Sequence, residues 1–217
     1  MKNADELFSD IEKFRTPFEM KEYFEYIYNA VHSDDDYWNL ALVKTGLFKK
    51  FLEEYYPLYC FSQSRFCNQN TKLTIVLGNQ GFDSIIIDTN NTEHRLEITS
   101  YIDGKKDFID GKMLQERGYS DVKFSDHLSL DERSYNYLGR ILQNLKNKSL
   151  KDYSGIDLLF VVSTFSYYEV YNLSSSKFVN NLIQEIKNIN FKCNDIFLLI
   201  LNGNEKSNIN QNIYKIK

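Results

Sequence analysis

Residues Thr71–Ser100 read TKLTIVLGNQGFDSIIIDTNNTEHRLEITS, and this stretch decides the fold. It divides into three short apolar runs, Leu73 to Leu77, Phe82 to Asp88 and His94 to Ser100. Each is rich in β-branched or large apolar residues and is bounded by Gly, Asn or Asp, the residues that turns demand. The pattern predicts three consecutive strands. Thr89 to Glu93 is short enough to make the second and third an antiparallel hairpin. Side chains alternate across a strand, so Asp83 shares a face with Ile85 and Ile87, while Arg95, Glu97 and Thr99 share one on the next strand. If those faces coincide, one carboxylate from each strand meets across the hairpin. Two carboxylates so placed repel unless a cation or proton lies between them. Mg²⁺ suits such a pair, because it keeps several waters and is held by only one or two carboxylates.

An acidic residue that opens a strand after a Gly turn, with Glu-x-x on the following strand, resembles the PD-(D/E)XK nuclease superfamily, the fold of restriction endonucleases. The motif would be Asp83 with Glu97-Ile98-Thr99, within a resemblance that covers about Asn39 to Asn202. It implies a Mg²⁺- or Mn²⁺-dependent phosphodiester hydrolase with Asp83 and Glu97 as metal ligands and nucleic acid as substrate. The sequence departs from the family at the motif lysine, where it carries Thr99. Thr99 can position a water but cannot act as a base at neutral pH. A lysine would therefore have to reach in from elsewhere, and Lys50, Lys105 and Lys106 are the candidates. In this family the helix before the sheet often adds an acidic residue, a role that Glu54 matches.

Outward from this core, the 217 residues suit a single compact domain with a substantial core. Hydrophobic residues make up 42% and charged residues 26%, a globular and not a disordered composition. The net charge of −4 gives no general attraction to nucleic acid, so any such contact needs a local basic patch. The charged MKNADELFSD start does not read as a signal peptide, and no apolar run approaches the roughly 18 residues of a membrane span, so the expected location is cytoplasmic. Cys60, Cys67 and Cys193 lack zinc-site spacing and read as buried free thiols.

Upstream, the sequence predicts a short helix over Ala4 to Phe14. Thr16-Pro17-Phe18-Glu19 then opens a second helix with a capping box, and its apolar stripe includes Phe18, Tyr23, Phe24, Ile27 and Val31. Asp34, Asp35 and Asp36 read as the cap of a third helix rather than a metal site. That helix runs from about Tyr37 to Tyr56 and stops before Pro57. Its inward face carries Glu54, with Lys50 one turn earlier and able to pair with it. Tyr59 to Asn70 reads as a linker.

Downstream, Tyr101 to Leu128 is the least regular region, with a short helix near Lys112 to Arg117. A capping box at Ser129 to Glu132 starts a long helix whose stripe is Tyr135, Leu138, Ile141, Leu142 and Leu145. Arg133, Arg140, Lys146 and Lys148 form a basic ridge on it that could meet phosphates. Ile156 to Ser163 reads as a buried central strand, Lys177 to Ile189 as a helix and Ile196 to Leu201 as the last strand, followed by a polar tail from Asn202. Thr164 to Leu173 lies after a strand end, where α/β proteins commonly bind ligands.

The expected class is α/β, a mixed central sheet with flanking helices in the order α-β-β-β-α-β-α-β, preceded by two N-terminal helices. Residues 1–36 would be a helical extension and 37–217 the core, the order the resembled family shares. Three functional readings follow. One is a metal-dependent nuclease using Asp83, Glu97 and Glu54, with Lys105, Lys106, Arg133 and Arg140 contacting nucleic acid. Another is a non-catalytic member of the same scaffold that binds nucleic acid or a protein partner. The last is an interaction module whose partner is a protein or a second copy of the chain.

Overall fold

The structure, a computed structural model, describes residues 4–101, 104–118, 130–164 and 176–217; within its helices the side chains of 104–107, 130, 131, 133, 134 and 176 are not described. A six-stranded mixed sheet lies between two helical layers. Strands β1 (Lys72–Ile75), β2 (Ser84–Ile87) and β3 (Glu93–Ser100) form an antiparallel meander. Next to β3, in parallel, run β5 (Ile156–Ser163) and β7 (Ile196–Leu201). β8 (Ile213–Lys215) closes the far edge antiparallel to β7. A separate two-residue ribbon joins β4 (Asp152–Tyr153) and β6 (Lys192–Cys193). The hairpin and the central strand thus stand as the pattern of apolar runs predicts, because period-2 burial is a local signal.

The alternation of the strands sorts the core into two clusters. Leu96, Ile98, Leu159 and Val161 face one layer, built from α1 (Ala4–Leu7), α2 (Pro17–His32), α3 (Asp35–Val43), α4 (Gly46–Lys50), a π-helical turn (Phe51–Tyr55) and α5 (Tyr56–Ser62). Leu158, Phe160, Val162, Leu198 and Ile200 face the other layer, where α7 (Leu130–Ser149) and α8 (Ser176–Lys187) supply Tyr137, Ile141, Leu145, Leu182 and Ile186. The strands β5 and β7 are buried on both faces, which is why they read as continuous apolar runs.

Helix caps are where the sequence predicts them. The Thr16 and Glu19 side chains form the reciprocal box at the start of α2, and Asp34 accepts from the amides of Asp36 and Tyr37 at the start of α3. Other expectations need correction. The first helix ends at Leu7 and passes into turns. In α2, Met20 is buried where Phe18 is 68% exposed. In α7, Tyr135 is 76% exposed and Tyr137 takes the inward position, in step with Ile141 and Leu145 at intervals of four.

The third helix is broken at Lys44, whose φ of 50° is left-handed, and does not stop at Pro57. The chain winds on to Ser62 through the π-helical turn, in which the Tyr56 amide bonds to the Phe51 carbonyl, five residues back. The wider turn accommodates a proline that would otherwise collide with the carbonyl four residues before it. The loop after β3 contains α6 (Gly104–Arg117), far longer than the short helix the sequence suggests. The polar tail folds back as α9 (Ile209–Asn212) and β8, with Ile209 and Ile213 buried. The cap at Ser129 to Glu132 and the ligand-binding expectation for Thr164 to Leu173 lie largely outside the described residues, though Thr164 itself is fully buried.

Candidate active site

β2 pairs with β3 only over Glu93 to Leu96, whereas β5 follows β3 to Ser100. The last four residues of β3 therefore have one edge without a strand beside it. The register Ser84↔Leu96, continued by one residue, sets Asp83 opposite Glu97. There the ladder is made partly by a side chain, since the Ile98 amide donates to Asp83 Oδ2 at 2.9 Å. Asp83 and Glu97 thus meet because two strands of period 2 are paired in that register.

An open cavity of about 270 Å³ lies along this edge, lined by Lys49, Glu53, Glu54, Ile98, Thr99, Ser100 and Lys148. The π-helical turn brings in Glu54, whose side chain is only 12% exposed and whose Oε1 accepts from Lys50 Nζ at 2.5 Å. From the opposite layer, α7 delivers Lys148, whose Nζ lies 3.3 Å from Glu97 Oε1. Two buried oxygens here have no hydrogen-bonding partner in the structure, Glu54 Oε2 and Thr99 Oγ1. Such groups cost about 1–3 kcal/mol each if left unpaired, so the site carries buried polarity that its own side chains do not satisfy.

The electrostatics couple these residues. Burial is the main cause that raises the Glu97 pKa; the Asp83 charge raises it further, and Lys148 opposes both. Glu54 is also raised, first by burial and then by Asp83, against the hydrogen bond from Lys50. Burial works against the Lys50 charge, but Glu54, Asp83 and Glu53 outweigh it and hold the ammonium above the usual lysine range. Tyr153, whose buried hydroxyl also lacks a partner, is pushed up to about 12 by burial and by the charges of Glu97 and Asp83. Glu97 and Glu54 therefore each feel the Asp83 charge, and each has a lysine beside it.

Of the residues singled out in the sequence, Asp83, Glu97, Thr99, Glu54 and Lys50 come together here. Lys105 and Lys106 lie on α6, and Arg133 on α7, but their side chains are outside the described residues. Arg140 is exposed on α7. Lys148 does not belong with a solvated ridge; it turns into the site and meets Glu97 from 51 residues away in sequence. Tyr153 carries no sequence signal at all, because it reaches the carboxylates only through the β4–β6 ribbon. Among the described residues, no group of three or more His, Cys, Asp or Glu side chains is gathered closely enough to hold a metal ion. No helix among them is long and apolar enough to cross a membrane, and the three cysteines are free thiols. Comparisons with protein-family models, with curated proteins and with solved structures returned no match.

Proposed function

We propose that the chain is a divalent-metal-dependent nuclease of the PD-(D/E)XK type, acting through Asp83 and Glu97. The observation that carries this reading is that the strand register sets Asp83 opposite Glu97, with the Asp83 charge felt by both Glu97 and Glu54 and with Glu54, Thr99 and Lys148 lining an open cavity at the edge of β3. The sheet order, an antiparallel meander followed by parallel strands, is consistent with it. The residues fit a hard cation. Asp83 and Glu97 are hard oxygen donors at paired strand positions, and Mg²⁺ needs only one or two carboxylates with water completing its shell. Asp83 and Glu97 would hold it, and Glu54, which feels the Asp83 charge, would be a further donor. A metal in such a site lowers the pKa of a bound water and stabilises charge on the scissile phosphate.

The chain's own residues supply the rest. Lys148 is the cation that stands at the second motif carboxylate, where Thr99 replaces the family's lysine. It would orient an attacking water and offset phosphate charge. Thr99 lines the cavity beside these residues and would help to position that water. Lys50 is committed to Glu54 and acts on the site only by holding that carboxylate in place.

The test is cleavage of single-stranded and duplex DNA and RNA with Mg²⁺ or Mn²⁺. Wild type cleaves at least one of these and Glu97→Gln cleaves none. Lys148→Ala lowers the rate about 100-fold, and Lys50→Ala by less than about tenfold. Equal losses at the two lysines would remove Lys148 from its assigned role. The favoured alternative is a non-catalytic nucleic-acid-binding scaffold, because Glu97 and Glu54 already have lysine counterions. Salt-dependent binding without cleavage of any substrate would establish it.

A separate prediction concerns α7. Arg140 and Lys146 are exposed, so their replacement by Ala weakens nucleic-acid binding uniformly across sequences. Each lost phosphate contact lowers the slope of log K against log salt by roughly one. Binding titrations at several salt concentrations measure this, and an unchanged slope would show the ridge to be only a solvated face.

A further inference from the structure

A second cavity, of about 300 Å³, lies among α2, α3 and the π-helical turn, in the helical layer that covers the Leu96–Ile98 face. Its lining is almost wholly apolar, from Phe24, Ile27, Val31, Phe48 and Leu52, with Trp38 among the aromatic rings. The mouth keeps unusually large apolar side chains in water: Tyr28 is 45% exposed, Trp38 43% and Leu52 38%. The His32 ring lies between those of Tyr28 and Trp38, 3.9 and 5.2 Å from them between centroids, and His32 Nδ1 is 2.8 Å from the Tyr28 carbonyl.

One ammonium stands over this lining. Lys206 Nζ is 4.4 Å from the centre of the Phe24 ring and 4.9 Å from that of Tyr28. No carboxylate is among the described lining residues. The nearest acid in sequence, Glu205, is buried and occupied, accepting from the Tyr56 hydroxyl and the amides of Asn202 and Gly203. The cavity is thus a concave apolar volume with a single positive charge at its rim, the form of a small-ligand site. At roughly 30 Å³ for each water-sized group, it holds a body of about ten heavy atoms.

We propose that this cavity binds a small amphipathic anion, a carboxylate on an alkyl or aromatic body, with the body among Phe24, Val31, Trp38 and Leu52 and the head group at Lys206. Apolar burial supplies the affinity, and the ammonium selects the sign of the head group. A cationic amphiphile of equal length gains the same burial and meets repulsion instead.

Trp38 is the only tryptophan of the chain, so intrinsic fluorescence reports this cavity directly. The probes are decanoate and decyltrimethylammonium, both below their micellar concentrations, titrated into the 217-residue chain. Decanoate produces a saturable blue shift of the emission, at a dissociation constant at least tenfold below that of the cation. Lys206→Glu, a surface change, reverses the order, with an unchanged circular dichroism spectrum as the check on folding. Asp83→Asn leaves both titrations unchanged, so this result and that of the cleavage assay are independent. Absence of a saturable shift, equal affinity for the two amphiphiles, or indifference to Lys206→Glu would overturn the assignment. So would an emission shift that follows protein concentration alone and accompanies dimers in sedimentation, which would give the face to a second copy.

Discussion

Asp83→Asn removes the rise in melting temperature that Mg²⁺ or Mn²⁺ gives the wild type, and it raises the melting temperature of the metal-free protein. Both effects have one cause. The Asp83 charge pushes up the pKa values of Glu97 and Glu54, so in the metal-free protein it opposes their ionised forms. Asparagine removes that repulsion and keeps an oxygen that can accept from the Ile98 amide, so the turn into β2 is preserved. With metal at 100 times its dissociation constant, the wild type gains about 2.7 kcal/mol, which in a chain of this size moves the midpoint by about 5–10 °C. Thermal unfolding of both proteins with and without metal measures this. A wild type indifferent to metal would defeat the nuclease proposal.

The pH dependence follows with a definite sign. A carboxyl group whose folded pKa is raised contributes stability that is present below the unfolded value, about 4.3, and lost as pH rises through the folded value. Glu97 is such a group, so metal-free wild type and Glu97→Gln are alike at low pH, and the variant becomes the more stable one as pH rises. Metal binding runs the other way, because it needs the carboxylates ionised. The metal-induced shift in midpoint therefore grows as pH rises through the raised carboxyl range of Glu97 and Glu54.

The second large effect is structural. Gly111→Ala in α6 destabilises the protein by about 3 kcal/mol or more, although alanine favours a helix over glycine by about 1 kcal/mol. A methyl group at Gly111 would lie 2.0 Å from the Leu42 carbonyl oxygen and 3.3 Å from the Val43 Cα. Those atoms are backbone of α3 and cannot turn aside, so α6 would have to lift away. Gly139, within α7, is the control: nothing lies within 4 Å of a methyl there, and Gly139→Ala stabilises by about 0.5–1 kcal/mol. Denaturant midpoints of the two variants should move in opposite directions. Movement in the same direction would mean that α6 does not dock on α3 through Gly111.

What the sequence by itself determined is local. Alternation of apolar residues between turn signals marks β1 to β3, continuous apolar runs mark β5 and β7, and Thr16 and Asp34 mark helix starts. These signals need no distant partner, and strand periodicity sets Asp83 across from Glu97 once the hairpin register is fixed. Helical spacing likewise turns Glu54 inward with Lys50 one turn before it. The rest was decided by tertiary structure. Pro57 reads as a stop, yet the helix passes it, because a π-helical turn removes the clash and the packed layer buries Tyr55, Leu58 and Phe61. α6 has little apolar periodicity of its own and forms against α3, where only a glycine allows the approach. β8 is three residues long and reads as tail until β7 offers it an edge. Lys148 reads as one more base on a solvated helix face. Only the packing of α7 on the sheet brings its ammonium to Glu97, because an ion pair across 51 residues depends on the fold that closes the distance and leaves no trace in local pattern.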